Sequence, residues 1–372
     1  MKINEEIANQ NINGKPEIVT EETSKRITSL RFLLAVSVIF IHNNLTANDA
    51  INYYHLDFVE PVFITWIKLF ICTIIGSAAV PLFYVFAGYL QCRKNDSYGI
   101  LLKKRTRSLL LPYVLWTLLA VFMYFVGQSI PGLSFFMNNE NNIVREWGVK
   151  DWFNLFWIHW TNEPAGHPFV TQFWFLRNLI ILVIFSPVIK FLIKKIPSSL
   201  FVILFLYYLH GSRLGMITSL FFYAIGVLFA EYDVKFFSLV DKIKLYEFFI
   251  VFIFEMIAAI VFPEDKKLFA IIAITSCLFL LNVSKIIISN EKTYGIAKQL
   301  SVFSFFLFAI HNPFIEPVLN KLSYRIIPLH GIGCLFQFII PIILTVIIGT
   351  TIGIICKKLF PSVFTILNGG RN

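Results

Sequence analysis

Long apolar runs separated by short polar segments dominate the chain. They fall at 27–46, 78–92, 108–127, 172–193, 198–210, 214–230, 245–262, 268–286, 299–319 and 335–356. A helix needs about 20 apolar residues to cross a bilayer, so the pattern predicts an all-α integral membrane protein, a bundle of about ten transmembrane helices. The second run is the least regular. Residues 61–75 are also apolar and read as a re-entrant or interfacial approach, broken by Gly76, Ser77 and Pro81. The fifth and sixth runs are short and are joined by His210-Gly211-Ser212-Arg213.

Composition agrees with this pattern. The chain is 57% hydrophobic and 15% charged, against about half and a quarter for a soluble domain. The net charge of +10 would suit a nucleic-acid ligand, but its placement argues against one. With the amino terminus inside, Lys25 and Arg26, the 93–107 segment, Lys190, Lys194, Lys195, Lys235, Lys242, Lys244, Lys285, Lys292, Lys298, Lys357 and Lys358 all fall on the cytoplasmic side. Basic residues concentrate there in membrane proteins, so both termini are expected in the cytoplasm. Residues 1–24 lack the apolar core of a cleaved signal and read as a polar, disordered tail. The membrane domain is expected over 25–358, with a short cytoplasmic tail at 359–372. The five cysteines are scattered, without the spacing of a metal site or a disulfide framework.

The first run carries Arg31 and His42 at membrane depth, where ionisable groups are costly and usually functional. Eleven residues on a helix rise about 16 Å and complete three turns plus about 20°. The two side chains therefore share one face, one near each end of the span. His42, followed by Asn43 and Asn44, suits general-base chemistry on a hydroxyl; the plainer alternative is an interfacial histidine satisfied by water or backbone. Arg31 stays charged and needs an anionic partner, either a ligand or a carboxylate such as Glu255 in the seventh run.

RKNDSYGILLKKRTR at 93–107 holds six basic residues. It is at least a topology determinant, and its lysines and arginines suit phosphate groups. In the ninth run, FFLFAIHNPFIEPVL, Pro313 should kink the helix beside His311, with Glu316 following; His311 is either functional or a packing histidine. Arg177 in QFWFLRN can bind an anion or reach toward the interface. The 47–61 loop is acidic, with Asp49, Asp57 and Glu60. The 128–171 loop holds Trp147, Trp152, Trp157 and Trp160 with His159 and His167. These tryptophans form an interfacial belt or a surface on which sugar rings stack. No GxSxG elbow or Walker loop occurs, and no metal site is expected.

Taken together, these stretches resemble membrane acyltransferase family 3, over about residues 27–358. Arg31 and His42 resemble the family's first-span pair, and VPLFYVFAGYL at 80–90 its second-span stretch. KKRTRSLLLPY at 103–113 resembles its basic entry to the third span, QFWFLRNL at 172–179 its Trp-Phe-Leu segment, and SFFLFAIHNPF at 304–314 its late histidine span. Ala87 stands where the family usually has serine, Lys104 at its first basic position, and Phe308 at a common tyrosine.

The resemblance implies an O-acyltransferase of the bacterial cytoplasmic membrane. The expected co-substrate is acyl-CoA, with acetyl-CoA the first choice, and no cofactor is bound. The acceptor would be a glycan or lipid-linked sugar at the outer face. It implies catalytic roles for His42, as base or transient acyl carrier, and for Arg31. Lys104, Arg105 and Arg107 would hold the CoA phosphates, while His311, Arg177, Asn43 and Glu316 are secondary acceptor-side or polar-core candidates. A non-enzymatic glycan exporter is the competing expectation, because ten spans with polar residues suit transport as well.

Overall fold

The computed structural model describes residues 19–43, 59–94, 96–130, 143–159, 166–210 and 215–371. Among them the secondary structure is helical, apart from one isolated bridge between Val59 and His330. The helices run α1 (Glu21–His42), α2 (Val62–Cys92), α3 (Tyr98–Ser129), α4 (Trp174–Ile184), α5 (Ser186–Lys195), α6 (Pro197–His210) and α7 (Met216–Glu231). They continue with α8 (Leu245–Val261), α9 (Lys266–Ser289), α10 (Glu291–Ser301), α11 (Ser304–Ile326), α12 (Gly333–Leu359) and α13 (Pro361–Leu367).

The described part of each apolar run is largely helical. Four helices, α2, α3, α9 and α12, are long and apolar enough to cross a membrane, and six spans result if each of two bent pairs counts as one. The pairs are α4 with α5, bent by 64°, and α10 with α11, bent by 48°. Pro187 sits in the first turn of α5, where its missing N–H ends the α4 ladder at little cost. The run at 172–193 is therefore two helices rather than one. The approach at 61–75 is continuous with the second run as a single helix that passes through a π-helical stretch at Leu69–Ile75.

Helix α1 lies at the centre and packs against α2, α9, α10, α11 and α12. Its Ile27, Leu30, Leu34, Ala35 and Ile39 are fully buried. Thr20 caps its start by accepting from the Thr23 amide, and Glu21 and Glu22 favour the positive end of its dipole. Conversely, α8 exposes Phe249, Ile250, Ile253, Phe254, Ile257 and Ile260. An apolar face of this extent marks a surface that meets something other than water. The protein is a multi-pass, all-helical membrane protein.

The densest crossing joins α2 to α7. A Cβ on Gly88 would fall 2.3 Å from the Tyr223 carbonyl oxygen, and one on Gly226 would fall 2.1 Å from that of Val85. Only two glycines let these backbones approach so closely. Residues 360–371, expected as a tail, fold back as α13 and a following turn. Phe364 is fully buried against Phe303 and Phe306, and Trp116 Nε1 donates to the Leu367 carbonyl at 2.9 Å.

Candidate active site

Arg26 and Arg31 lie five residues apart on α1, about 140° around the helix, and meet different surroundings. Arg26 faces the bundle and is fully buried. It donates to both carboxylate oxygens of Asp241 at 2.8 and 2.6 Å, to Ser284 Oγ at 2.9 Å and to the Leu281 carbonyl at 3.0 Å. Its guanidinium also lies 4.3 Å from the Phe237 ring centre. Every strong donor direction is used.

Arg31 instead opens onto a cavity of about 230 Å³. Among the described residues no carboxylate lines that cavity, and Arg31 takes part in no ion pair. Glu255, considered as its counter-ion, is not one: that side chain is buried on α8 and pairs with no described cation. An arginine without a carboxylate partner in such a cavity is chemically suited to an anion.

All five stretches singled out in the sequence meet at this cavity. Ile27 and Arg31 come from the first, Phe86 and Ala87 from the second, and Arg105 and Leu109 from the third. Phe175 and Leu176 come from the fourth, Ser304 and Phe308 from the fifth. Lys94 and Arg371 complete the charged part of its wall. A second cavity of about 240 Å³ shares Lys94, Arg105 and Arg371 and adds Lys104, Asp96 and Ser108.

Of Lys104, Arg105 and Arg107, the residues expected to hold phosphates, Arg105 lines both cavities, while Lys104 lines the second and is ion-paired with Asp96 at 2.6 Å. Arg107 is exposed and lines neither. Leu101, Arg105 and Ser108 follow the four-then-three spacing of one helix face, from which Arg107, two positions past Arg105, is turned away by about 200°. Ala87 leaves the wall without a hydroxyl at its position, while Ser301 and Ser304 also line the cavity.

At the other end of α1, His42 is exposed and its ring lies 5.5 Å from that of His311. His311 is fully buried, and neither ring nitrogen makes a hydrogen bond of ordinary geometry. The kink expected at Pro313 is present. The chain leaves helical geometry at Asn312, the Asn312–Pro313 bond is cis, and Gln172 Nε2 donates to the freed Asn312 carbonyl. His311 thus reaches His42 because its helix breaks one residue later.

The secondary candidates divide. Asn43 is buried and donates to the Phe338 carbonyl at 2.6 Å, fastening the end of α1 to α12. Arg177 donates to the carbonyls of Trp157 at 2.5 Å and Gly166 at 3.0 Å, so it ties down the long loop. Glu316 is buried in the first turn after the kink, with Oε2 unbonded.

His167, a loop residue with no distinguishing spacing in the sequence, is buried. Its backbone carbonyl accepts from the His159 amide at 2.7 Å. Trp147 packs on Phe169 and His159, whereas Trp152 and Trp157 are exposed. Trp160 and the acidic residues Asp49 and Asp57 lie outside the described residues. No cluster of three metal-ligating side chains occurs among those described.

A family model described as an acyltransferase domain matches residues 25–357. The chain belongs to this acyltransferase family. The match takes in every wall of the Arg31 cavity except Arg371, together with the His42–His311 pair. One curated relative of this acyltransferase is the succinoglycan biosynthesis protein ExoH of Rhizobium meliloti (strain 1021), 24% identical over 181 residues. That alignment covers 47% of the chain and 44% of the relative, so the chain spans less than half of that protein's length. No solved structure matches the acyltransferase.

Proposed function

We propose that this acyltransferase moves an acyl group, acetyl in the simplest case, from acyl-CoA to a hydroxyl of a polysaccharide or lipid-linked glycan across a bacterial cytoplasmic membrane. The observation that carries the reading is the polarity of α1. One end presents Arg31 to a cation-lined, carboxylate-free cavity suited to phosphates, and the other presents an accessible imidazole beside a buried one. The glycan acceptor rests on the relative, a succinoglycan biosynthesis protein, and on Trp152 and Trp157, exposed on the 128–171 loop. Aromatic faces of that kind stack on sugar rings. A cytoplasmic amino terminus, as the distribution of basic residues indicates, would put the Arg31 end inside, next to the basic 93–107 segment.

In this reading the donor phosphates sit among Arg31, Lys94 and Arg105, and the pantetheine arm runs along α1 toward His42. His42 accepts the proton of the acceptor hydroxyl as its oxygen attacks the thioester carbonyl carbon. The carbon–sulfur bond breaks and the proton passes to the departing thiolate, leaving an ester and free CoA. A transient acyl group on His42 would split the same transfer into two steps.

The test uses purified protein in nanodiscs with acetyl-CoA and an acceptor glycan. Wild-type protein should bind acetyl-CoA saturably. Arg31→Ala should lose that binding, and His42→Ala should retain it while turnover falls by about 10²- to 10⁴-fold. A folded wild type that binds neither acetyl-CoA nor succinyl-CoA, or a folded His42→Ala that transfers at the normal rate, would overturn the reading.

A further inference from the structure

Arg371 lies beyond the last long helix, in a segment whose sequence, LNGGRN, carries no sign of a site. The chain returns it to the bundle by a defined route. The Asn368 side chain donates to the Val302 carbonyl at 2.9 Å and to the Arg371 carbonyl. Gly369 and Gly370 both adopt left-handed backbone, with φ of +65° and +75°, which other residues adopt at a cost. Gly369 also presses on α3, since a Cβ there would fall 2.4 Å from the Ser108 carbonyl oxygen.

This turn aims the Arg371 guanidinium inward, 4.5 Å from the Phe305 ring centre, donating to the Asn368 carbonyl at 2.9 Å. It lines both cavities with Arg105 and Lys94, and the deeper one with Arg31 as well. Burial, with Arg31 and Arg105 as neighbours, holds the guanidinium below its ordinary range. Like charges gathered around one space repel one another, and a bound anion relieves the repulsion.

We propose that Arg371 is a binding residue for the phosphate groups of the acyl donor, so that the turn after α13 forms one wall of a polycationic site shared with Arg31, Lys94 and Arg105. The proposal rests on the acyl-CoA reading above. It adds that the donor site is incomplete without a residue about 340 positions from Arg31 in sequence and outside the matched acyltransferase region. Two phosphate sources fit this chemistry, the nucleotide end of CoA and the headgroup of an anionic lipid; the charge count and the continuity with the inner cavity favour CoA.

The experiment measures CoA affinity for wild type, Arg371→Gln and Arg371→Lys in nanodiscs of zwitterionic lipid, then repeats it with an anionic lipid added. Arg371→Gln keeps an amide that can donate to the Asn368 carbonyl but removes the charge. Its CoA affinity should fall by about tenfold or more, as expected for loss of a charge-assisted contact, and Arg371→Lys should recover part of it. Without ligand, Arg371→Gln should unfold at or above the wild-type temperature, because one repelling charge is gone.

Unchanged CoA affinity in Arg371→Gln would overturn the proposal while leaving the donor reading intact, whatever the unfolding temperature. Wild-type protein that binds no CoA would instead defeat the donor reading. Stabilisation by anionic lipid that depends on Arg371 would then assign the site to a lipid headgroup and overturn the donor version.

Discussion

Replacing Arg26 with alanine would leave Asp241, a carboxylate only 18% exposed, with Lys285 at 4.0 Å as its remaining described cation, and remove the donors to Ser284 and Leu281. Breaking one side of a buried, bonded pair costs about 3–5 kcal/mol. Arg26→Ala should therefore lower the unfolding temperature sharply, and Arg26→Met with Asp241→Leu should recover much of the loss. Arg31→Ala removes a cation with no carboxylate partner and should leave the ligand-free protein at least as stable as wild type. Thermal unfolding of the four proteins in one detergent checks both halves. Sequence marked Arg31 because a charge stood inside an apolar run. It placed Arg26 among the topology-setting cations, because a partner 215 positions away leaves no local trace. Arg107 was unreadable for a related reason: choosing among the basic residues of one short stretch requires the helix phase relative to a cavity that four other stretches and Arg371 help to build.

At the scale of elements, the α2–α7 crossing sets the position of the whole second stretch. Phe86 and Ala87, which wall the donor-side cavity, are held by the contact of Gly88 with Tyr223 and of Gly226 with Val85. Gly88→Ala or Gly226→Ala forces the backbones apart and should destabilise the fold by about 1–3 kcal/mol, the range for overpacking a tight core. Each should also weaken donor binding, whereas Gly99→Ala, where an added Cβ meets nothing, should do neither; unfolding temperature and CoA affinity measured on the three proteins decide it. The apolar runs and the proline kink at His311 were legible because hydropathy and proline act locally. The bend at Phe185 was not, since apolar residues continue on both sides of it and only Pro187 hints at the break. Nor could hydropathy show that the 61–75 approach joins the second run as one helix, because the Gly76–Ser77 signal reads equally as an end.

For the molecule as a whole, the two chemical ends of α1 are separated by about 16 Å of helix and by the aromatic packing between them, where Phe308 stacks against Phe173 and touches Phe175 and His311. The sequence brought out both ends but not the convergence of five distant stretches on one of them, nor the return of Arg371, because tertiary packing alone brings 27–31, 86–109, 175–176, 304–308 and 371 together. That convergence gives the proposed donor site a side. In proteoliposomes of defined orientation, an acyl-CoA too polar to cross the bilayer should be consumed only when supplied on the face where Arg105 and Arg371 open, and the acceptor should be acylated only on the opposite face. Arg31→Ala should raise the KM for the donor with a smaller effect on kcat, and His42→Ala should lower kcat with little effect on that KM. Transfer that proceeds only when donor and acceptor share a face would mean that α1 does not link two compartments. The Arg31 and His42 ends would then have to serve a single entrance, and the exposed Trp152 and Trp157 would belong to an interfacial belt rather than to an acceptor surface.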